Sequence, residues 1–173
     1  MRTGFPRADA RDDFDGARRQ ARWTRLSGWL RGQPSSANRL KLLGEVAIVI
    51  GAGAAPAGGR RPRPGHAGSL VEARQAAVPI DSIVGSVEPT ASFDRQFHPT
   101  SQVPRERFER IALGLRCGRG MDPVELYHCG GEYYVLDGHH RIAVARALGE
   151  RSVWAMITEV RRVRPALPAG VRR

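Results

Sequence analysis

The segment VLDGHHRIAVARALG, residues 135–149, constrains the fold more strongly than any other part of the chain. An apolar run ends at Asp137, Gly138 follows, and small apolar residues then recur at helical spacing. This pattern predicts a strand, a tight turn and a helix that begins near His139. Asp137 is the expected N-cap, and Gly149 stands where a left-handed residue commonly ends a helix.

The first turn of this helix carries two imidazoles and a guanidinium. The first N–H groups of a helix lack internal partners and the dipole is positive there, so cationic side chains at this end are unfavourable without a bound anion. We therefore predict a phosphate- or nucleotide-binding site at Gly138, His139, His140 and Arg141. The alternative is structural: the histidines cap or pack, and Arg141 pairs with Asp137.

A catalytic role is a second hypothesis for the same turn. Asp137 and His139 are candidate acid or base groups beside a bound phosphate, provided that they reach the substrate. Glu88, Asp94 and Glu106 are upstream acids that could join them. The expected cofactor for such an enzyme is a nucleoside triphosphate with magnesium.

A shared metal site is not expected. His128 and Cys129 lie beside the predicted turn at Gly130-Gly131, whereas His139 and His140 lie past the opposite end of the hairpin. About six extended residues separate the two pairs, roughly 20 Å, so they cannot bind one ion.

The elements of a compact α/β (α+β) domain follow one another within residues 78–160. VPIDSIVGS reads as a strand, and residues 103–118 have apolar residues at helical intervals. Two β-branched and aromatic runs flank Gly130-Gly131 and predict a hairpin. After the second helix, SVWAMITEV predicts a final strand. We expect a small mixed sheet with flanking helices.

Residues 1–31 are interpreted as a tail and a basic amphipathic helix. The tail is expected to be disordered as far as residue 15, and the helix covers residues 16–31. Trp23, Leu26 and Leu30 form a stripe at helical spacing. We expect this stripe to dock on the protein's own domain, with contact to an anionic surface as the alternative.

Residues 32–77 are rich in Gly, Pro and Arg and are interpreted as a flexible, largely irregular linker. Within them, VAIVIGAGAAPAGG resembles the start of a dinucleotide-binding fingerprint. That fingerprint needs a helix after its glycines, and Pro56 prevents one. A dinucleotide-binding fold is therefore excluded.

The net charge of +11 belongs to the flanks. Residues 1–75 hold 14 basic and 6 acidic residues, residues 76–160 hold 9 and 11, and the basic tail 161–173 adds five arginines. The flanks can associate with nucleic acid without sequence preference. Alternatively, their arginine content reflects codon usage.

Compartment signals are few. The first residues lack the apolar core of a signal peptide, and the longest apolar run, residues 46–57, is too short to cross a bilayer. The two cysteines form no Cys-x-x-Cys motif. We expect a cytoplasmic protein without a membrane span.

Residues 123–160, PVELYHCGGEYYVLDGHHRIAVARALGERSVWAMITEV, resemble the ParB/sulfiredoxin-like superfamily in the order helix, hairpin, then Gly-x-x-Arg opening the next helix. The resemblance extends over residues 78–160 and is nearest to small stand-alone actinobacterial-type members. It implies a bacterial protein whose Gly138–Arg141 turn binds nucleotide phosphates.

Two departures narrow what this resemblance implies. Sulfiredoxins carry Gly-Cys-His-Arg in this turn, and His139 stands in the place of their cysteine nucleophile, which excludes sulfinic-acid reduction. Chromosome-partition ParB proteins carry Gly-Glu-Arg-Arg and a later helix-turn-helix, which residues 161–173 do not provide.

Three functions therefore stay open. The leading one is a nucleotide- or phosphate-binding module, in which a homodimer is a further expectation. The second is a small nucleotide hydrolase, kinase or nuclease. The third is a structural or partner-binding domain.

Overall fold

The computed structural model of the protein describes residues 5–34, 38–43, 47–50 and 73–163. These residues form three α-helices and seven strands. In chain order the elements are α1 (Pro6–Leu30), β1 (Lys41–Leu42), β2 (Ala47–Ile50), β3 (Ala73–Pro79), β4 (Ile83–Ser86), α2 (Arg105–Arg116), β5 (Val124–Cys129), β6 (Glu132–Asp137), α3 (His139–Ala147) and β7 (Ser152–Val163). The predicted order of strand, helix, hairpin, helix and strand is confirmed from β4 to β7.

The strands form one mixed sheet, as expected for an α/β fold. Its order is β1-β4-β6-β5-β7, and β3 and β2 both pair antiparallel with β7. The pairs β1–β4, β4–β6 and β5–β7 are parallel. Strands β5 and β6 form the predicted antiparallel hairpin, which turns at Gly130-Gly131 between Cys129 and Glu132.

The helices pack together over one face of the sheet and form the main core. Four consecutive residues of α3 are buried, Ile142 to Ala145, and they join Val124 and Leu126 of β5 in one cluster. Phe14 of α1 meets Phe108 of α2 edge to face, with ring centroids 5.2 Å apart. The opposite face of the sheet carries a smaller cluster around Tyr127 and Tyr134.

Helix α1 differs from its prediction in both its start and its buried face. It begins at Pro6, so the tail that was expected to be disordered is helical from this residue on. Its buried residues are Asp9, Ala10, Phe14, Ala17 and Ala21. The predicted docking stripe is exposed instead, at 71% for Trp23, 55% for Leu26 and 75% for Leu30. The prediction was wrong because the small residues let α1 approach the domain closely. On this side of α1, Asp13 also forms a bidentate ion pair with Arg116 of α2.

The linker prediction is wrong in its described part, because β1, β2 and most of β3 lie within residues 32–77. Strand β3 is mostly exposed, so its backbone pairing with β7 and not apolar burial defines it. The run VPIDSIVGS is divided by a 3₁₀ turn, Ile80–Ser82, into the end of β3 and β4.

Several sequence-based expectations concern residues outside the described part. The glycines of the dinucleotide-like stretch lie within residues 51–72, together with much of the linker. Of the basic tail, residues 161–163 extend β7, whereas residues 164–173 lie outside. In the described ranges, no helix combines the length and the apolar content that crossing a membrane requires.

Candidate functional site

A cleft with a volume of about 620 Å³ opens at the N-terminus of α3. Its walls are α2, the loop that follows α2, residues 90–93 and the first turn of α3. The four residues predicted to bind phosphate all line it, as does Asp137. The structure therefore brings these five residues to one concave surface, which we call the α3 cleft.

Gly138 shapes the turn that opens the cleft. It occupies the N-cap position with φ 109°, and its carbonyl accepts the N–H of Ile142 at 3.0 Å. The prediction of Asp137 as N-cap is wrong, because Asp137 is the last residue of β6 and no side chain caps this helix. A Cβ atom at Gly138 would lie 2.6 Å from Cγ1 of Val124. Both the backbone conformation and this contact require glycine, independently of any ligand.

Arg141 is held by the protein itself. Its Nη2 donates to Oδ2 of Asp137 at 2.7 Å, and its Nη1 donates to the carbonyls of Asp122 and Pro123 at 3.0 and 2.6 Å. The guanidinium therefore fastens the segment before β5 to the first turn of α3. Pairing with Asp137 was the structural alternative to phosphate binding by Arg141, and it neutralises the charge of Asp137.

His139 is anchored on the sheet side of the turn. Its Nε2 forms a hydrogen bond of 2.8 Å with Oγ of Ser86, and its ring stacks on Phe93 at 5.9 Å between centroids. Burial lowers the pKa of His139, although the carboxylates of Asp137 and Glu88 act in the opposite direction. Burial therefore favours the neutral form of this ring.

His140 contributes a polar atom without a partner. Its ring meets Phe93 edge to face at 5.1 Å, and its buried Nε2 has no hydrogen-bond partner among the described residues. Burial lowers its pKa to about 4, helped by the positive charge of Arg107. The expectation of two cationic imidazoles is wrong, because desolvation disfavours their charged forms.

The cationic groups of the cleft come from residues that the sequence analysis missed. Arg107 and Arg110 lie one turn apart on α2, and Arg119 follows its last turn. The backbone N–H of Arg119 returns to the carbonyl of Gly114 at 2.9 Å, which turns the chain back towards the cleft. None of the three arginines forms an ion pair with an acid in the described ranges. The spacing of Arg107 and Arg110 places both on one face of α2, but no local sequence signal indicated that this face meets α3.

The lining carries more positive than negative charge. Arg107, Arg110, Arg119 and Arg141 face two aspartates, Asp122 and Asp137. Since Arg141 and Asp137 pair with each other, the remaining excess belongs to α2 and the loop after it. An anion placed here would meet these arginines and the first three N–H groups of α3.

The three upstream acids are not part of this lining. Glu88 acts on His139 through its charge, and Glu106 lies in the first turn of α2. Asp94 is buried, where its Oδ1 accepts the N–H groups of Gln96 and His98 at 2.9 Å. Asp94 therefore stabilises a loop.

The described residues contain no group of three or more His, Cys, Asp or Glu side chains placed to hold a metal ion. At the other end of the hairpin, His128 pairs with Glu159 at 2.8 Å and stacks on Tyr133. Cys117 and Cys129 are both free thiols.

Comparison with known proteins found a distant likeness in fold. No family model matches the chain, and no curated protein sequence matches it. A search of solved structures found sulfiredoxin from Arabidopsis thaliana, with 16% sequence identity, a TM-score of 0.40, and coverage of 51% of this chain and 88% of that one. The fold class stated above rests on the observed elements and their pairing.

Proposed function

We propose that the protein binds a phosphorylated small molecule, a nucleotide in the first instance, in the α3 cleft. One observation carries the proposal: Arg107, Arg110 and Arg119 line a concave surface at a helix N-terminus without an acidic partner among the described residues. Guanidinium groups and helix N-termini are the two features that proteins most often direct at phosphate oxygens.

The size of the cleft supports a ligand larger than a simple ion. Its volume of about 620 Å³ lies in the usual range for small-molecule sites, roughly 300–1,000 Å³. Phe93 and Ile111 add apolar surface beside the arginines. A phosphate group beside the arginines would leave room for a nucleoside along this apolar part, and magnesium would accompany a triphosphate.

The residues of the turn take different roles in this proposal. The backbone N–H groups supply hydrogen bonds, and the ring of His140 lies beside them with a buried Nε2 that has no partner among the described residues. Arg141 acts as a positioning residue, because its pair with Asp137 and its two carbonyl contacts hold the turn. The charge that attracts the ligand comes from α2 and from Arg119.

The proposal is tested by isothermal titration of the full chain with inorganic phosphate, ATP, CTP, GTP and their diphosphates, with and without magnesium. Arg107→Ala and Arg110→Ala should each weaken binding about tenfold or more, the usual size of a charge-assisted hydrogen bond. Arg151→Ala is the matched control, because Arg151 is exposed and lies beyond the other end of α3. Equal losses in all three variants, or no binding of any phosphate compound, would contradict the proposal.

Phosphate release in the same samples tests the enzyme hypothesis. A hydrolase that uses Asp137 or His139 should lose release in Asp137→Asn or His139→Ala while it still binds the nucleotide. If the unaltered chain binds the nucleotide but releases no phosphate, the protein is a binding module and not a hydrolase.

A further inference from the structure

The second half of α1 exposes a group of large apolar side chains. Trp23, Leu26, Trp29 and Leu30 are exposed by 71, 55, 75 and 75%, and together we call them the outer face of α1. Ala21 is the last buried residue of the helix. The helix continues for nine more residues, about 14 Å at the usual rise. This half therefore extends past the contacts that hold α1 to the domain.

The two halves of α1 differ sharply in charge. All four of its aspartates lie between residues 9 and 15, and residues 16–34 contain no acid. The acidic half faces α2, where Asp13 pairs with Arg116 and Asp15 with Arg105. The outer half carries arginines that are not neutralised by any acid of its own.

Exposed arginines accompany the apolar residues in this half of α1. Arg19, Arg22 and Arg25 are exposed, and Arg22 and Arg25 flank Trp23 in the sequence. On a helical wheel Arg19, Trp23 and Leu26 project in similar directions, away from the buried stripe of small residues. Tryptophan, leucine and arginine in this arrangement are typical of helices that lie in the interface of an anionic membrane.

We propose that the outer face of α1 docks on an anionic lipid surface. Leu26 and Leu30 would enter the acyl boundary, the two tryptophans would lie at the headgroup level, and the arginines would meet lipid phosphates and carboxylates. Charge complementarity indicates an anionic surface, and the aliphatic residues favour lipid over nucleic acid, because leucine offers bases no ring to stack on. This proposal is independent of the α3 cleft.

The test is co-sedimentation of the full chain with vesicles of phosphatidylcholine alone or with 30% phosphatidylserine. We expect binding to the anionic vesicles, weak binding to the neutral ones, and loss of binding in high salt. The double variant Trp23→Ser/Leu26→Ser should lower the affinity at least tenfold. Arg22→Gln/Arg25→Gln should lower it by roughly fivefold for each arginine. Trp154→Ser is the matched control, a tryptophan 61% exposed on β7, and should bind like the unaltered chain.

Unchanged urea unfolding of the outer-face variants shows that a loss of binding is not a loss of fold. Equal binding to neutral and anionic vesicles, or an equal loss in Trp154→Ser, would overturn the proposal. The proposal would also be overturned if the chain does not bind vesicles but is retained on single-stranded DNA, and if the outer-face variants abolish that retention. A dimer in sedimentation velocity that only the outer-face variants dissociate would assign this face to a second copy of the chain.

Discussion

The α3 cleft and the outer face of α1 are built from the same kinds of side chain and differ in shape. Both combine arginines with aromatic rings, yet Phe93 in the cleft is 4% exposed and Trp23 on α1 is 71% exposed. The cleft is concave and comes from separate segments of the chain, whereas the outer face is convex and comes from one helix. A concave cationic surface can surround and desolvate a small anion. A convex one can only meet an extended surface.

The two surfaces also depend on the fold to different degrees. The cleft exists only while α2, the loop after it and the turn at Gly138 hold their relative positions. The outer face needs only that α1 is helical and attached. Variants that damage the fold should therefore separate the two surfaces.

Gly138→Ala should cause the largest loss of stability. We expect the free energy of unfolding to fall by about 3 kcal/mol or more, since a left-handed residue costs about 1–2 kcal/mol and overpacking typically adds about 1–3 kcal/mol. The overpacking arises against Val124, 2.6 Å from the new Cβ. Gly118→Ala is the matched control: its φ is +73° with no atom within 4 Å, so only the conformational cost of about 1–2 kcal/mol applies.

Urea unfolding measures both glycine variants. A cost in Gly138→Ala no greater than in Gly118→Ala would mean that the turn is not tightly packed against β5, and the contrast between a fold-dependent cleft and an independent helix face would weaken.

Arg116→Ala should have an intermediate effect, which tests the attachment of α1. The side chain is 16% exposed and makes three hydrogen bonds to Asp13, at 2.9, 2.8 and 2.7 Å. We expect a loss of about 2 kcal/mol in urea unfolding, in the range for charge-assisted hydrogen bonds. Arg105→Ala, whose side chain is 45% exposed, should cost clearly less than Arg116→Ala, because solvent screens its ion pairs.

Phosphate binding separates the two surfaces in the same variants. Because Arg116 does not line the cleft, its replacement should change phosphate affinity less than twofold once the protein is folded. A loss as large as in Arg110→Ala would show that the attachment of α1 and the geometry of the cleft are coupled.

The smallest expected effect is a pH dependence that arises in the cleft. The pKa of His140 in the folded chain is about 4, below its usual value near 6.5. As the pH falls, the unfolded state therefore binds protons first. The free energy of unfolding is thus highest above pH 6.5 and decreases as the pH falls towards 4. The lowered pKa of His139 acts in the same direction. Because His140 is half-buried beside an open cleft, solvent screening limits the size of this effect.

Urea midpoints between pH 4.5 and 7.5 measure this dependence, and His140→Gln should flatten it. Saturating phosphate should flatten it too, because an anion beside the ring favours the imidazolium form. If His140→Gln shows the same slope as the unaltered chain, protonation of His140 does not cause the pH dependence.

Much of the fold could be predicted because its signals are local. The hairpin turn at Gly130-Gly131, the end of α3 at Gly149 and the order of elements from β4 to β7 follow from turn residues and periodicity. Most of strand β3 was missed because it is an exposed strand whose only large apolar residue is Val78, and it exists through pairing with β7. Such pairing is invisible in β3 itself.

The buried face of α1 could not be chosen from hydrophobicity. Its sequence offers a stripe of large residues, with Trp23 and Leu30, and a stripe of small ones around Phe14. The large residues bury more apolar area, which favoured them. The structure uses the small stripe, because close approach to α2 brings Phe14 against Phe108 and Asp13 to Arg116.

Local sequence specifies where the candidate site begins: a hairpin strand, a glycine and a helix start follow from neighbouring residues, and the residues of this turn line the cleft. The charges of the site, in contrast, depend on tertiary packing. Burial favours the neutral forms of His139 and His140, Asp137 engages Arg141, and guanidiniums without an acidic partner in the described ranges come from α2 and the loop after it. The physical reason is that turn and helix formation depend on near neighbours, whereas desolvation and Coulomb interactions depend on whatever the fold brings close.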